Sequence, residues 1–178
     1  MTVCGIVLAA GAGTRFGGPK APYEWDGERL VDRAVRTLRE AGCDPVYTIL
    51  GAWEGSVENC LVIVNHGWEE GMGSSLRIGL KWARAASDAD SAVVILVDQP
   101  GITPEGVRRV IDTPGSLVQA VYGDRPGHPV RIGKEHWQSL MDVVADDSGA
   151  RDYLATHDRV LVDVSDVCDD TDLDVRPT

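Results

Sequence analysis

The chain is poor in positive charge. Lys and Arg number 17 against 28 Asp and Glu, a formal net charge of −11 over 178 residues. Without a basic footprint, a general nucleic-acid or membrane-surface role is excluded. Nucleotide binding stays open, because a local cationic loop or a metal reverses the sign within one cleft. No apolar run reaches membrane-spanning length, and the first residues lead straight into a strand, so neither a signal peptide nor an anchor is expected. No Cys-x-x-Cys pair occurs. Cys4, Cys43, Cys60 and Cys168 read as free, mostly buried thiols of a cytoplasmic protein. Repeats, low-complexity stretches and linkers are lacking too, and the length suits one well-buried domain.

What is present is alternation. Apolar runs at Val3 to Leu8, Pro45 to Leu50, Leu61 to Val64, Ala92 to Val97, Leu117 to Tyr122, Pro129 to Ile132 and Val160 to Val164 read as strands. Between them, Leu30 to Glu40, Ser74 to Ala86, Pro104 to Ile111, Lys134 to Val144 and Gly149 to His157 read as helices. Leu30, Ala34, Val35 and Leu38 should face inward on the first helix, and Leu76, Leu80 and Ala83 on the second. The pattern predicts an α/β fold, a three-layer sandwich with a mostly parallel sheet and helices on both faces. Ligands of such sheets bind beyond the carboxyl ends of the strands. Trp53, Trp68, Trp82 and Trp137 are expected in the core or at its rim.

The first strand runs into Leu8-Ala9-Ala10-Gly11-Ala12-Gly13-Thr14-Arg15-Phe16-Gly17-Gly18-Pro19-Lys20. Small residues and spaced glycines let the backbone turn tightly and bring its N–H groups to a ligand. One Arg and one Lys close by complete what a triphosphate requires. The spacing excludes the two commoner phosphate loops. Phe16 stands where a dinucleotide fingerprint needs its third glycine, and Lys20 lies between Pro19 and Ala21 where a Walker A loop needs Gly-Lys-Ser/Thr. Asp98, after the apolar Val93 to Val97, is placed to hold a hard cation, or else to close its own turn. Gly71 to Ser75 joins a glycine-rich loop to a helix start, with Ser74 the expected N-cap.

The loop meets every fixed position of Leu-Ala-Ala-Gly-x-Gly/Ser-x-Arg-x-Gly-x-x-Lys, and so resembles the MobA-like nucleotidyltransferases of the molybdenum-cofactor cytidylyltransferase type. Asn65 to Leu76, Leu96-Val97-Asp98-Gln99-Pro100, Arg125 to Val130 and Asp147 to Arg151 are similar to further elements of that family, in the same order. Pro126 departs from an expected Arg-Gly pair, Asp146 replaces a Gly, and Thr171 is not followed by the family's proline.

The resemblance implies transfer of a nucleoside monophosphate, CMP from CTP, to a small phosphorylated acceptor such as molybdopterin, with release of pyrophosphate. It implies Arg15, Lys20 and Asp98 as catalytic residues. Leu8, Ala9, Ala10, Gly11, Gly13, Arg15, Lys20, Gly71, Ser74 and Ser75 would bind the nucleotide. Asp98 and Asp170 would bind Mg2+ or Mn2+, with Asp169, Asp172 and Asp174 competing for the second place, and His128 would lie at the acceptor. A molybdoenzyme or cofactor-handling protein is the implied partner. The Leu-Ala-Ala-Gly opening points to cytidylyl members; guanylyl members open Leu-Ala-Gly-Gly. Alternatives are a guanylyl or sugar-phosphate transferase of the same fold, or a non-catalytic NTP-binding accessory protein.

Overall fold

In this computed structural model, residues 1–144 and 147–178 are described, with side chains at all of them except 147–149. Asp146 and the side chains of Asp147, Ser148 and Gly149 thus lie outside the described residues. In chain order the elements are β1 (Val3–Ala9), a hairpin of β2 (Glu24–Trp25) and β3 (Glu28–Arg29), α1 (Leu30–Glu40), β4 (Val46–Leu50), β5 (Leu61–Val64), α2 (Met72–Ala86), β6 (Ser91–Leu96), α3 (Pro104–Asp112), β7 (Leu117–Tyr122), β8 (Arg125–Gly133), α4 (Lys134–Val143), α5 (Asp147–Thr156) and β9 (Val160–Asp163).

Among the described residues, seven strands form one sheet in the order β5-β4-β1-β6-β8-β7-β9. Every pairing is parallel except those of β8, which runs against both β6 and β7. The alternation of side chains along a strand builds the layers. Val3, Val7 and Ala9 of β1 join Leu30, Ala34, Val35 and Leu38 of α1 and Val107 and Val110 of α3. Cys4, Ile6 and Leu8 point the other way, to Leu76, Leu80 and Ala83 of α2 and to Trp137 and Leu140 of α4. Trp137 is fully buried and donates its indole N–H to the Ile132 carbonyl at 3.0 Å, which lets a large polar ring sit in the core. The four thiols are unpaired, with Cys4, Cys43 and Cys168 buried and Cys60 half-buried.

Three features differ from the reading of the sequence. The β2–β3 hairpin was not expected, although Asp26-Gly27 carries its signal: φ is 50° at Asp26 and 79° at Gly27, the left-handed pair a two-residue hairpin turn needs. β8 begins at Arg125 rather than Pro129, because pairing with β7 resumes at Pro126 beyond an irregularity between Gln119 and Val121. Trp82 is not a core residue. It is 49% exposed, because its place two residues after Leu80 turns it to the outer side of α2.

No described helix is long and apolar enough to cross a membrane.

Candidate functional site

The chain passes from β1 outward to β4 and β5, then returns to β6 on the other side of β1. The sheet therefore has its switch point between β1 and β6, where a crevice opens beyond the strand ends. The loop 10–20 leaves β1 there and Asp98 follows β6. Because β8 is antiparallel, its first residues, Arg125 to His128, come to the same edge.

The loop is held from within. The carbonyl of Gly13 accepts from the amides of Gly17 (2.8 Å) and Gly18 (3.0 Å). Gly13 itself has φ +61°, and a Cβ there would lie 1.9 Å from the Gly18 carbonyl oxygen, so only glycine fits. At Gly11 an added Cβ would meet nothing within 4 Å; the backbone there faces open space. Phe16 anchors the turn, buried edge-on against Tyr23 with centroids 4.9 Å apart. Arg15 is exposed and makes no hydrogen bond or ion pair with any described residue.

Lys20 joins the loop to β6. Its ammonium donates to Asp98 Oδ2 at 2.9 Å and lies 4.0 Å from Asp174 Oδ1. The segment after β9 supplies Asp174, pinned to this edge by the Leu173 amide donating to the Asp98 carbonyl at 2.9 Å. Asp172 approaches from the same segment and accepts from Gln99 Nε2 at 2.9 Å. Burial holds its carboxyl above the usual range; the Gln99 bond lowers it, while Asp98 and Asp174 add repulsion. Asp170 is oriented elsewhere. Both its oxygens accept from the Arg125 guanidinium at 3.1 Å. Asp174 and Asp172 are thus the carboxylates that meet Lys20 and Gln99 beside Asp98, whereas the carboxylate of Asp170, which the family resemblance favours, pairs with Arg125 while its carbonyl accepts from Gln99 Nε2 at 3.3 Å.

Gly71, Ser74 and Ser75 form a buried polar knot. Asn65 is buried after β5, and its amide donates to Ser74 Oγ at 2.9 Å and Ser75 Oγ at 3.0 Å while its Oδ1 accepts from the Gly67 amide. Ser74 also donates to the Gly71 carbonyl at 2.7 Å. Ser74 is not the N-cap. α2 starts two residues earlier at Met72, with Gly71 in the cap position, because the Asn65 network rather than a serine cap fixes the helix start. Asn65 was not singled out from the sequence, though it opens the segment that resembles the family.

A cleft of about 580 Å³ lies against these residues on the α2 side of the sheet. Leu8 and Gln99 reach it from the crevice, Met72, Gly73 and Leu76 wall it from α2, and Arg125, Arg151 and Arg159 line its rim. His128 borders it. Burial lowers its pKa to about 4, an effect the Asp98 carboxylate only partly offsets, so the imidazole is neutral at pH 7. Tyr122 donates to the His128 carbonyl at 2.6 Å and fixes the turn.

Oxygen donors suit a hard cation. No group of three or more His, Cys, Asp or Glu among the described residues is arranged to hold a metal. Two carboxylates nonetheless match Mg2+ or Mn2+, which take few protein ligands and complete their shell with water and substrate phosphate. The Lys20 ammonium beside Asp98 and near Asp174 already marks a place where positive charge is stabilised.

The family model for the MobA-like NTP transferase domain matches residues 5–160. The chain belongs to that family. A relative named nicotine blue oxidoreductase, from Paenarthrobacter nicotinovorans, is 36% identical over 97% of this chain and 92% of its own length. A molybdenum cofactor guanylyltransferase from Rhodobacter capsulatus is 27% identical over 82% of this chain and 70% of its own. The solved structure of Rv0371c from Mycobacterium tuberculosis in complex with manganese aligns with a TM-score of 0.76 at 25% identity, covering 92% of this chain and 89% of that one. Proteins similar to this chain thus carry more than one named activity.

Proposed function

We propose that this chain is a divalent-metal-dependent nucleotidyltransferase that moves CMP from CTP to a small phosphorylated acceptor such as molybdopterin, releasing pyrophosphate. The observation that carries the reading is the meeting of the glycine loop, Lys20 and Asp98 at the β1–β6 switch point. The open backbone at Gly11, with Arg15 and Lys20, binds the β- and γ-phosphates. Asp98 and Asp174 hold the metal, which supplies charge neutralisation at the transferring phosphate. On nucleotide binding Lys20 exchanges its carboxylate partners for phosphate. The acceptor phosphate is already anionic near neutral pH, so no general base is required, and the residues act by positioning and charge. Neutral His128 and the arginine rim line the acceptor cleft. Asp170 orients Arg125 within that rim.

Base choice rests on Ala10, whose methyl narrows the wall next to Leu8-Ala9. One methyl is worth about 1–3 kcal/mol in a selective pocket, enough to prefer CTP over GTP at least tenfold in kcat/KM, a preference that Ala10→Gly erodes. Pyrophosphate release by Asp98→Asn, Asp174→Asn and Asp170→Asn variants tests the metal assignment: the first two lose it and the third retains it. Retention by Asp98→Asn removes the mechanism. Loss in Asp170→Asn instead of Asp174→Asn moves the second ligand back to Asp170.

A second reading, an oxidoreductase acting on a compound like nicotine blue, draws on the match along nearly the whole chain to nicotine blue oxidoreductase. Phe16 in place of a third glycine denies the loop a dinucleotide fingerprint, which favours the transferase.

A further inference from the structure

Arg176 stands beside the glycine loop on a built platform, and we propose that it is a third phosphate-binding cation of the nucleotide site, delivered by the segment after β9. The proposal rests on the nucleotide reading above. The path of the chain explains its delivery. After β9 the Asp169 amide donates to the Gly101 carbonyl at 3.1 Å and the Leu173 amide to the Asp98 carbonyl at 2.9 Å. These two bonds lay the segment along the carboxyl edge of the sheet and bring Arg176 across to the loop.

There the guanidinium carbon sits 5.4 Å from the Phe16 ring centroid and 5.7 Å from that of Tyr23. Lys20 Nζ lies 5.8 Å from the same Phe16 centroid. The single phenylalanine of the chain is thus an aromatic seat shared by two cations. Arg176 Nη2 is 3.4 Å from where a Cβ on Gly18 would be, and its Nε 4.0 Å from one on Gly17, so the side chain lies directly on the loop backbone.

The guanidinium makes no hydrogen bond or ion pair with any described residue. In an acidic chain that contrasts with Arg29, Arg36, Arg109 and Arg125, each matched to a carboxylate. A guanidinium held near two aromatic rings by cation–π attraction keeps its N–H donors free for an oxyanion. With Arg15 and Lys20 it makes three cations around one loop, which together with a divalent metal suits the strongly anionic tail of a triphosphate. The group recognised is the β,γ-phosphate pair and not the base or ribose.

Calorimetric titration of the full chain with CTP, CMP and inorganic tripolyphosphate, in Mg2+, tests this on wild type, Arg176→Ala and Arg176→Lys. Arg176→Ala should weaken CTP and tripolyphosphate about tenfold or more, the loss of a charge-assisted contact, and leave CMP binding unchanged. Arg176→Lys should fall between, since it keeps the charge but not the forked guanidinium donors. Wild-type affinity of Arg176→Ala for tripolyphosphate overturns the proposal and leaves the nucleotide reading standing. An equal loss for CMP and CTP overturns it too, because the residue then only supports the loop. A wild type that binds neither CTP nor tripolyphosphate overturns both.

Discussion

Replacing Lys20 by alanine should move two binding equilibria in opposite directions. Its ammonium is 2.9 Å from Asp98 Oδ2, with side chains 16% and 22% exposed, and 4.0 Å from Asp174 Oδ1. At an effective dielectric of about 20, a full charge pair at the 2.9 Å separation attracts by roughly 6 kcal/mol. Desolvation and side-chain ordering consume most of that, leaving a net of about 1–2 kcal/mol. The ligand-free variant should therefore be less stable by about that amount. With the ammonium gone, Mn2+ alone no longer competes with an internal cation, and its affinity should rise about tenfold. NTP affinity should fall at least tenfold over the same substitution, since a phosphate partner is lost. Calorimetry with MnCl2, and separately with CTP, reads both. Unchanged or weaker Mn2+ binding would show that Asp98 and Asp174 do not form a cation site, and unchanged CTP binding would remove Lys20 from the phosphates.

Gly13→Ala should cost about 1–3 kcal/mol in urea denaturation and abolish tight NTP binding, because its Cβ would meet the Gly18 carbonyl; wild-type binding would mean the loop shape is dispensable. Asn65→Ala should destabilise by about 2–3 kcal/mol, since two serine hydroxyls and the Gly67 amide lose a buried partner; a shift in denaturation midpoint at constant slope checks it. His128 has a folded pKa of about 4 against 6.5, so the unfolded chain binds the extra proton first. Its contribution is fully present above pH 6.5 and is lost as pH falls from 6.5 toward 4, by up to about 3 kcal/mol. Wild type should lose more stability over that window than His128→Gln, and parallel curves for the two would contradict the burial of a neutral imidazole.

The sheet and its helices were legible because their signals are local and repeat. Leu30, Ala34, Val35 and Leu38 at helical spacing, and the apolar β6 run, specify buried faces without knowledge of the rest of the chain. The turn of the glycine loop was legible for the same reason, since its spaced glycines fall where the backbone needs them. Asp98 could be singled out because a regular strand delivers it. The segment after β9 was not legible. Asp169, Asp170, Asp172 and Asp174 have no period, and which of them reaches Asp98 depends on the Gly101 and Asp98 backbone bonds, the Arg125–Asp170 pair and the Gln99–Asp172 bond. Those are long-range contacts that spacing along the chain does not encode. Arg176 and Arg159 escaped notice likewise, and the Asp26-Gly27 hairpin did so despite its local signal.

The measurement that bears most directly on nucleotidyl transfer is pyrophosphate release from each of the four NTPs, with Mg2+ and molybdopterin as acceptor, in wild type and Asp98→Asn. Release is expected from CTP, at least tenfold favoured over GTP in kcat/KM, and none from a folded Asp98→Asn variant. Absence of pyrophosphate with every NTP, from a folded wild type supplied with Mg2+ and acceptor, would contradict it.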